Sequence, residues 1–332
     1  MHGTFGEDGS IQKILEANKM KYNGSRSKAS EDCFDKIVAN KLCRKNKIKT
    51  PSPSYQLMKD YDDYWNGNDI DFQTFIGTEG YYPIIVKPSK QGSSMGITIL
   101  QNKPESYYER ILEAYSGKFR GPAIPDYSFQ LAVHNAVVCG LSQNEIIKIQ
   151  EKYQPLLRAG VDLGLSVSRL GGSADEHILS EYIPSFFDEE LKNSGKYNNA
   201  VIVEKYIPGK EITVSILGDK ALPIIEIKPH SNVYDYKSKY SKGETEYICP
   251  AQLDKSLSKE IQHTALKVHK LLGCEVYSRV DFRLDENNNF YFLEINTLPG
   301  MTETSLFPMA AKAGGLSFED LIDKIIKLSL QK

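Results

Sequence analysis

Apolar residues recur every three to four positions in "IQKILEAN" (11–18) and again through "ASEDCFDKIVANKLCRKNK" (29–47). That spacing predicts helical structure in both stretches. "TPSPSYQL" then breaks the helical period and starts an extended segment near residue 51. "YYPIIVKPSKQGSSMGITIL" reads as strand, glycine-serine loop, strand. "NAVIVEKYIPGKEITVSILGD" reads as two more strands around a Pro-Gly turn, in the manner of a hairpin. Between about 101 and 200 no clear period holds, apart from helical spacing in "ESYYERILEAY" and "SQNEIIKIQEKY". From "ALPIIEIKP" onward the pattern predicts strands, a polar loop "YDYKSKYSKGETEY", a long helix from about 254 to 272, a hairpin and two closing helices. Strands grouped with helices on one side, without regular βαβ alternation, predict an α+β architecture.

The hairpin carries the first candidate chemistry. In "FYFLEIN" (290–296), simple alternation puts Phe292, Glu294 and Asn296 on one face and Tyr291, Leu293 and Ile295 on the other. Taken alone, the stretch reads equally well as a half-buried edge strand whose Glu and Asn face water. Upstream, "SRVDF" places Arg279 and Asp281 on one face, and the "DENNN" turn folds the chain back. Asp281, Glu294 and Asn296 then converge as all-oxygen ligands of the kind Mg²⁺ takes together with substrate phosphates.

Composition narrows the class. With 332 residues, 40% hydrophobic and 25% charged, the chain is long enough for two or three compact units and reads as an ordinary globular protein. Its 41 basic and 43 acidic residues leave a net charge of -2, so no global attraction to nucleic acid or membrane is expected. The five cysteines are widely spaced and lack a CxxC pair. They predict reduced, mostly buried thiols rather than a disulfide framework or zinc site. No apolar stretch approaches the roughly 18 residues of a membrane span, and "MHGTFGEDGS" does not read as a signal peptide, so a cytoplasmic location is expected.

Two further stretches suit a nucleotide. In "VKPSKQGSSMG" a strand delivers Lys87 to a loop whose backbone N–H groups can curl around an anion, although such a loop alone is more often a tight turn. In "VIVEKYIPGKE", Glu204 and Glu211 can accept from an adenine amino group and ribose hydroxyls, or simply be solvated at a sheet edge. The lysines and tyrosines of "YDYKSKY" form either an exposed loop or a lid over phosphates.

"HGTFGEDGSIQ", "VKPSKQGSSMGI", "EKYIPGKE", "YDYKSKY", "SRVDF" and "EINTLPGMTETSLFP" follow one another in the order of the signatures of D-alanine:D-alanine ligases, which this chain resembles. These are members of the ATP-grasp superfamily. The resemblance implies an ATP-grasp fold in which two α+β units hold the nucleotide, after a partial Rossmann-like N-terminal unit. Expected boundaries are 1–30 for that first unit, 31–214 for the central subdomain with an insertion at about 101–200, and 215–332 for the C-terminal subdomain carrying the metal and substrate site. It implies ATP as the nucleotide and two Mg²⁺ ions, for which Mn²⁺ can substitute. Lys36, Lys87 and Lys239 match the phosphate-contacting lysines, with Ser93 and Ser94 in the loop that closes over them. Glu204, Lys205, Ile207 and Glu211 match the adenine and ribose contacts. Asp281, Glu294 and Asn296 match the metal ligands. Arg279, Gly300, Ser305, Leu306 and Tyr240 match the amino-acid site, and His2 matches a histidine near the first substrate. Arg279, Lys239, Tyr240 and Ser305 are the residues implied to act in the reaction.

The implied reaction moves the γ-phosphoryl of ATP onto a D-alanine carboxylate, after which the amine of a second D-alanine displaces phosphate. This is a step of peptidoglycan precursor synthesis. Three alternatives stand beside it: a ligase of the same fold using other amino acids, a relative that binds nucleotide with little ligation, and a regulatory nucleotide-binding partner that needs a second chain. The second arises because family members normally carry a Rossmann-like segment ahead of the "HG..GEDG" signature, including a "GGxSxEHxxS" motif. Inside the insertion, "RLGGSADEHILS" has Gly171, Gly172, Glu176, His177 and Ser180 at that motif's spacing, with Ala174 in place of its serine. An ordinary surface insertion is the expectation there. The family's habit of pairing allows a homodimer; amino acids and ATP are the expected partners.

Overall fold

The computed structural model describes residues 5–58, 78–90, 97–101, 200–229, 245–302 and 304–332. The helical stretches expected at 105–115 and 142–153, the loop 230–244 and the motif at 169–180 lie outside the described residues.

Helix α1 (Ser10–Ala17) follows the "GEDG" loop, where Asp8 accepts from the backbone N–H groups of Phe5 and Ser10 at 3.0 and 2.9 Å. The run 29–47 is two helices rather than one: α2 (Ser27–Phe34) and α3 (Lys36–Lys45). The break is Asp35, which takes an extended conformation (φ -87°, ψ 101°) and caps α3 by accepting from Ile37 N–H at 3.0 Å. An aspartate that can cap competes with continuing the helix, and periodicity does not register that competition.

Strands β1 (Ser54–Met58), β2 (Ile84–Pro88), β3 (Thr98–Leu100) and β4 (Ala200–Lys205) form a four-stranded sheet in the order β1-β4-β2-β3. A second sheet contains β5 (Lys210–Leu217), β6 (Lys220–Ala221), β7 (Ile225–Pro229), β8 (Thr245–Ile248), β9 (Tyr277–Leu284) and β10 (Phe290–Asn296). Its main path runs β10-β9-β5-β7-β8, with β6 paired to β5, and the described pairings are antiparallel. The expected hairpin of β4 and β5 is therefore a crossover. Tyr206–Gly209 carries the chain from one sheet to the other, and Gly209 (φ 122°) lies so close to the end of β9 that a Cβ would meet Leu284 O at 2.1 Å. Only glycine fits there.

Helix α4 (Lys255–Leu271) packs with α3 on one face of the larger sheet. The core between them contains Ala39, Cys43, Ile212, Val214, Ile261, Ala265, Val280, Phe282 and Phe292. On the opposite face, α5 (Leu306–Ala313) and α6 (Phe318–Leu330) cover Ile225 and Ile227. Because Thr213 pairs with Ile225 and Glu211 with Ile227, that second face turns from apolar at β7 to polar at β5, β9 and β10. Helix packing covers the apolar half.

The described cysteines are free thiols, with Cys33, Cys43 and Cys274 buried. Burial pushes the Cys43 thiol up to about 12, so it stays neutral. Cys139 lies outside the described residues.

Candidate active site

The polar end of the larger sheet is built by register. Thr213 of β5 lies opposite Asp281 of β9, which lies opposite Glu294 of β10; Ser215, Arg279 and Asn296 form the next row. One detail corrects the alternation expected for β10. The register shifts between Phe292 and Glu294, so Phe292 pairs with Phe282 while Glu294 pairs with the adjacent residue, Asp281. This β-bulge sends Phe292 into the core, edge-on to Phe282 at 6.3 Å, and turns Glu294 and Asn296 to the polar face. Phe292 does not share a face with Glu294. Its backbone N–H instead donates to Lys49 O at 2.8 Å.

Asp281 is 5% exposed. Arg279 donates to it twice, from Nε at 2.9 Å and from Nη2 at 2.8 Å, and the Thr213 hydroxyl donates to the same carboxylate. Glu294 is paired with Lys36 Nζ at 3.1 Å. The Asn296 side-chain oxygen accepts from Leu298 N–H at 2.8 Å and opens the turn toward Gly300. A Cβ on Gly300 would lie 2.7 Å from Ser305 Oγ, and Ser305 Oγ accepts from Thr302 N–H at 3.0 Å instead of capping α5. Gly300, Ser305 and the N-terminus of α5 are thus brought together. Leu306 opens that helix and buries its side chain in the apolar cluster.

On the smaller sheet Lys87 forms an ion pair with Glu204, and both are nearly inaccessible to solvent. Glu204 also accepts from Ser54 Oγ at 3.4 Å. The two lysines are tied together through the backbone, since Lys36 N–H donates to Ser89 O at 3.0 Å, two residues beyond Lys87. At the crossover, Glu211 lies 3.5 Å from Arg283. Lys205 donates its backbone N–H to Pro53 O, and Ile207 is buried.

Of the residues singled out in the sequence, Lys36, Asp281, Glu294, Asn296 and Arg279 converge at the polar end of the larger sheet. Lys87 and Glu204 form a second group, and Glu211 with Ile207 a third at the crossover. His2, Ser93, Ser94, Lys239 and Tyr240 lie outside the described residues. Sequence reasoning missed Thr213 and Arg283. Each sits on a strand at the alternation expected of it, but its role depends on which strand lies next to it.

Two antiparallel α+β units joined at a Pro-Gly crossover, with lysine and carboxylate pairs on both, define the ATP-grasp class. The model of the D-ala D-ala ligase C-terminus matches residues 46–117 and 185–327. The chain is 34% identical over 329 residues to the D-alanine--D-alanine ligase of Methylacidiphilum infernorum, covering 99% of this chain and 77% of that protein. It is 34% identical over 337 residues to the corresponding protein of Thermotoga petrophila, covering 100% and 78%. Among solved structures, D-alanine--D-alanine ligase from Bacillus anthracis complexed with ATP matches with a TM-score of 0.60 at 26% identity, over 100% of this chain and 78% of that one. VanG D-Ala:D-Ser ligase from Enterococcus faecalis matches with a TM-score of 0.61 at 25% identity, over 99% and 71%. The chain belongs to the D-alanine:D-alanine ligase family.

Proposed function

We propose that this protein is an ATP-dependent ligase that joins two D-alanines through an acyl phosphate, as a step of peptidoglycan precursor synthesis in the cytoplasm. The observation that carries the reading is the pairing of Lys36 with Glu294 directly beside Arg279 with Asp281. This puts cations suited to transferring phosphates among carboxylates suited to a metal.

The donor set fits Mg²⁺. Two carboxylates and an amide oxygen are all hard oxygen donors, and Asn296 keeps a second lone pair beyond its turn bond. Asp281, Glu294 and Asn296 would hold the ions, which when bound neutralise phosphate charge during transfer. Lys36 and Lys87 orient the phosphates, joined in this reading by Lys239 and the loop serines Ser93 and Ser94. Glu204, Lys205, Ile207 and Glu211 hold adenine and ribose. Arg279 steadies the oxyanion as the second amine attacks, and Gly300, Ser305 and the α5 N-terminus receive the amino-acid carboxylate. Tyr240 and His2 complete the substrate side, and the loop around Lys239 excludes water from the acyl phosphate. We divide the chain as the sequence suggested, with a first unit to about residue 30 and two nucleotide-holding units after it, and allow that the protein works as a homodimer.

Within the described residues no helix is long and apolar enough to cross a membrane. The test is phosphate release from ATP with D-alanine, D-serine, D-lactate and L-alanine as separate substrates. Release with D-alanine accompanied by the dipeptide supports the reading; nucleotide binding without any ligated product overturns it. Preference for a D-alanine and D-serine mixture would favour the second reading, a ligase with a different second amino acid, which the likeness to a D-Ala:D-Ser ligase supports.

A further inference from the structure

The crossover between the sheets is held by one side chain that the functional reading leaves without a role. Arg283 of β9 donates from Nε to Ile207 O at 3.0 Å, and from Nη2 to Gly209 O at 2.9 Å and to the Tyr206 hydroxyl at 2.8 Å. Its guanidinium carbon stands 5.1 Å from the Tyr206 ring centroid, and Nη1 lies 3.5 Å from Glu211 Oε2 on the neighbouring strand. The side chain is 14% exposed. Among the described residues, the Ile207 backbone N–H between these contacts has no acceptor.

We propose that Arg283 is a positioning residue for the nucleotide, fixing the Tyr206–Gly209 crossover so that its backbone reads the base and turning Glu211 toward the ribose. The inference rests on the ATP-site reading above. A planar guanidinium can direct several N–H groups to separate acceptors at fixed angles; a lysine ammonium is a point charge on a flexible stem and cannot hold the same set. Gly209 already lies flat against Leu284, so one end of the crossover is fixed by backbone contact. Arg283 fixes the remainder from the adjacent residue. Because the same guanidinium bonds two crossover carbonyls and faces Glu211, base and ribose contacts are set together.

The test compares the wild-type protein with R283M and R283K. Affinity for a non-hydrolysable ATP analogue is measured by calorimetry, and KM for ATP, GTP and D-alanine by phosphate release. R283M is expected to weaken analogue binding about tenfold or more, because it removes charge-assisted hydrogen bonds. KM for ATP should rise in parallel and the preference for ATP over GTP should narrow, while KM for D-alanine moves by less than about twofold. R283K should recover only a minor part of the affinity. Full recovery in R283K would show that charge alone suffices and overturn the proposal. So would an R283M protein that is less heat-stable but binds the analogue normally, since Arg283 would then be scaffold only. A wild-type protein that binds no analogue would remove the ATP-site reading and this inference with it, whereas wild-type binding that R283M leaves unchanged removes this inference alone.

Discussion

Lys87 and Glu204 on the four-stranded sheet are sealed together, their side chains 5% and 1% exposed, whereas the Lys36–Glu294 and Arg279–Asp281 pairs at the polar end of the six-stranded sheet each leave one member more open: Glu294 at 26% and Arg279 at 17%. The sealed pair has given up its hydration, so until a ligand supplies other partners each charge depends on the other. The open pairs can change partners at lower cost, as the proposed function requires of Lys36 toward phosphate and of Glu294 toward a metal. Before ligand arrives, the carboxylates of the larger sheet are neutralised by cations of the same site. That argues for weak metal binding in the absence of nucleotide, whose phosphates draw the cations away and complete the metal's shell.

The comparison breaks most clearly at Lys87. Lys87→Met strands the Glu204 charge in the interior and is expected to lower unfolding stability by about 3 to 5 kcal/mol, measured by urea denaturation. Lys87→Met combined with Glu204→Gln should regain most of that stability without regaining nucleotide affinity. A single variant as stable as the wild type would show that the pair is not sealed.

On the larger sheet the expected loss is in turnover rather than in folding. Glu294→Gln keeps the shape and a polar contact for Lys36 but removes a metal-binding charge. ATP turnover should fall by about a hundred- to a thousandfold, by analogy with the loss of one preorganised charge-stabilising group. Its circular dichroism spectrum and unfolding midpoint should stay close to those of the wild type. Normal turnover would end the metal assignment.

A smaller effect comes from the apolar side of the same sheet, where His269 of α4 is buried and shares a 2.7 Å hydrogen bond with Ser278 Oγ of β9. Burial lowers its pKa to about 4. The folded protein therefore keeps the ring neutral where the unfolded chain, with a value near 6.5, takes up a proton. Stability is unaffected by this group above pH 6.5 and declines as pH falls from about 6.5 toward 4, by roughly 2 to 3 kcal/mol between pH 7 and 4.5. His269→Gln should flatten that part of the stability profile. If the slope is the same in both proteins, His269 does not titrate on unfolding.

The residue types of the site were legible in the sequence because their chemistry is local: a lysine entering a glycine-serine loop, a carboxylate and an amide ending a strand before Pro-Gly. The strands β2, β4, β5, β9 and β10 and the helix α4 were legible for a similar reason, since each carries its own apolar period. Pairing was not local. Nothing in "EITVSIL" says that Thr213 will meet Asp281, 68 residues later, or that β4 and β5 belong to different sheets. The bulge in β10 inserts one residue that alternation does not register, yet it decides that Phe292 enters the core while Glu294 faces Lys36. The sequence by itself determined which side chains are candidates for phosphate and metal. The tertiary structure decided which of them meet, because strand register and sheet membership are set by long-range backbone hydrogen bonds and core packing that no short window of sequence contains.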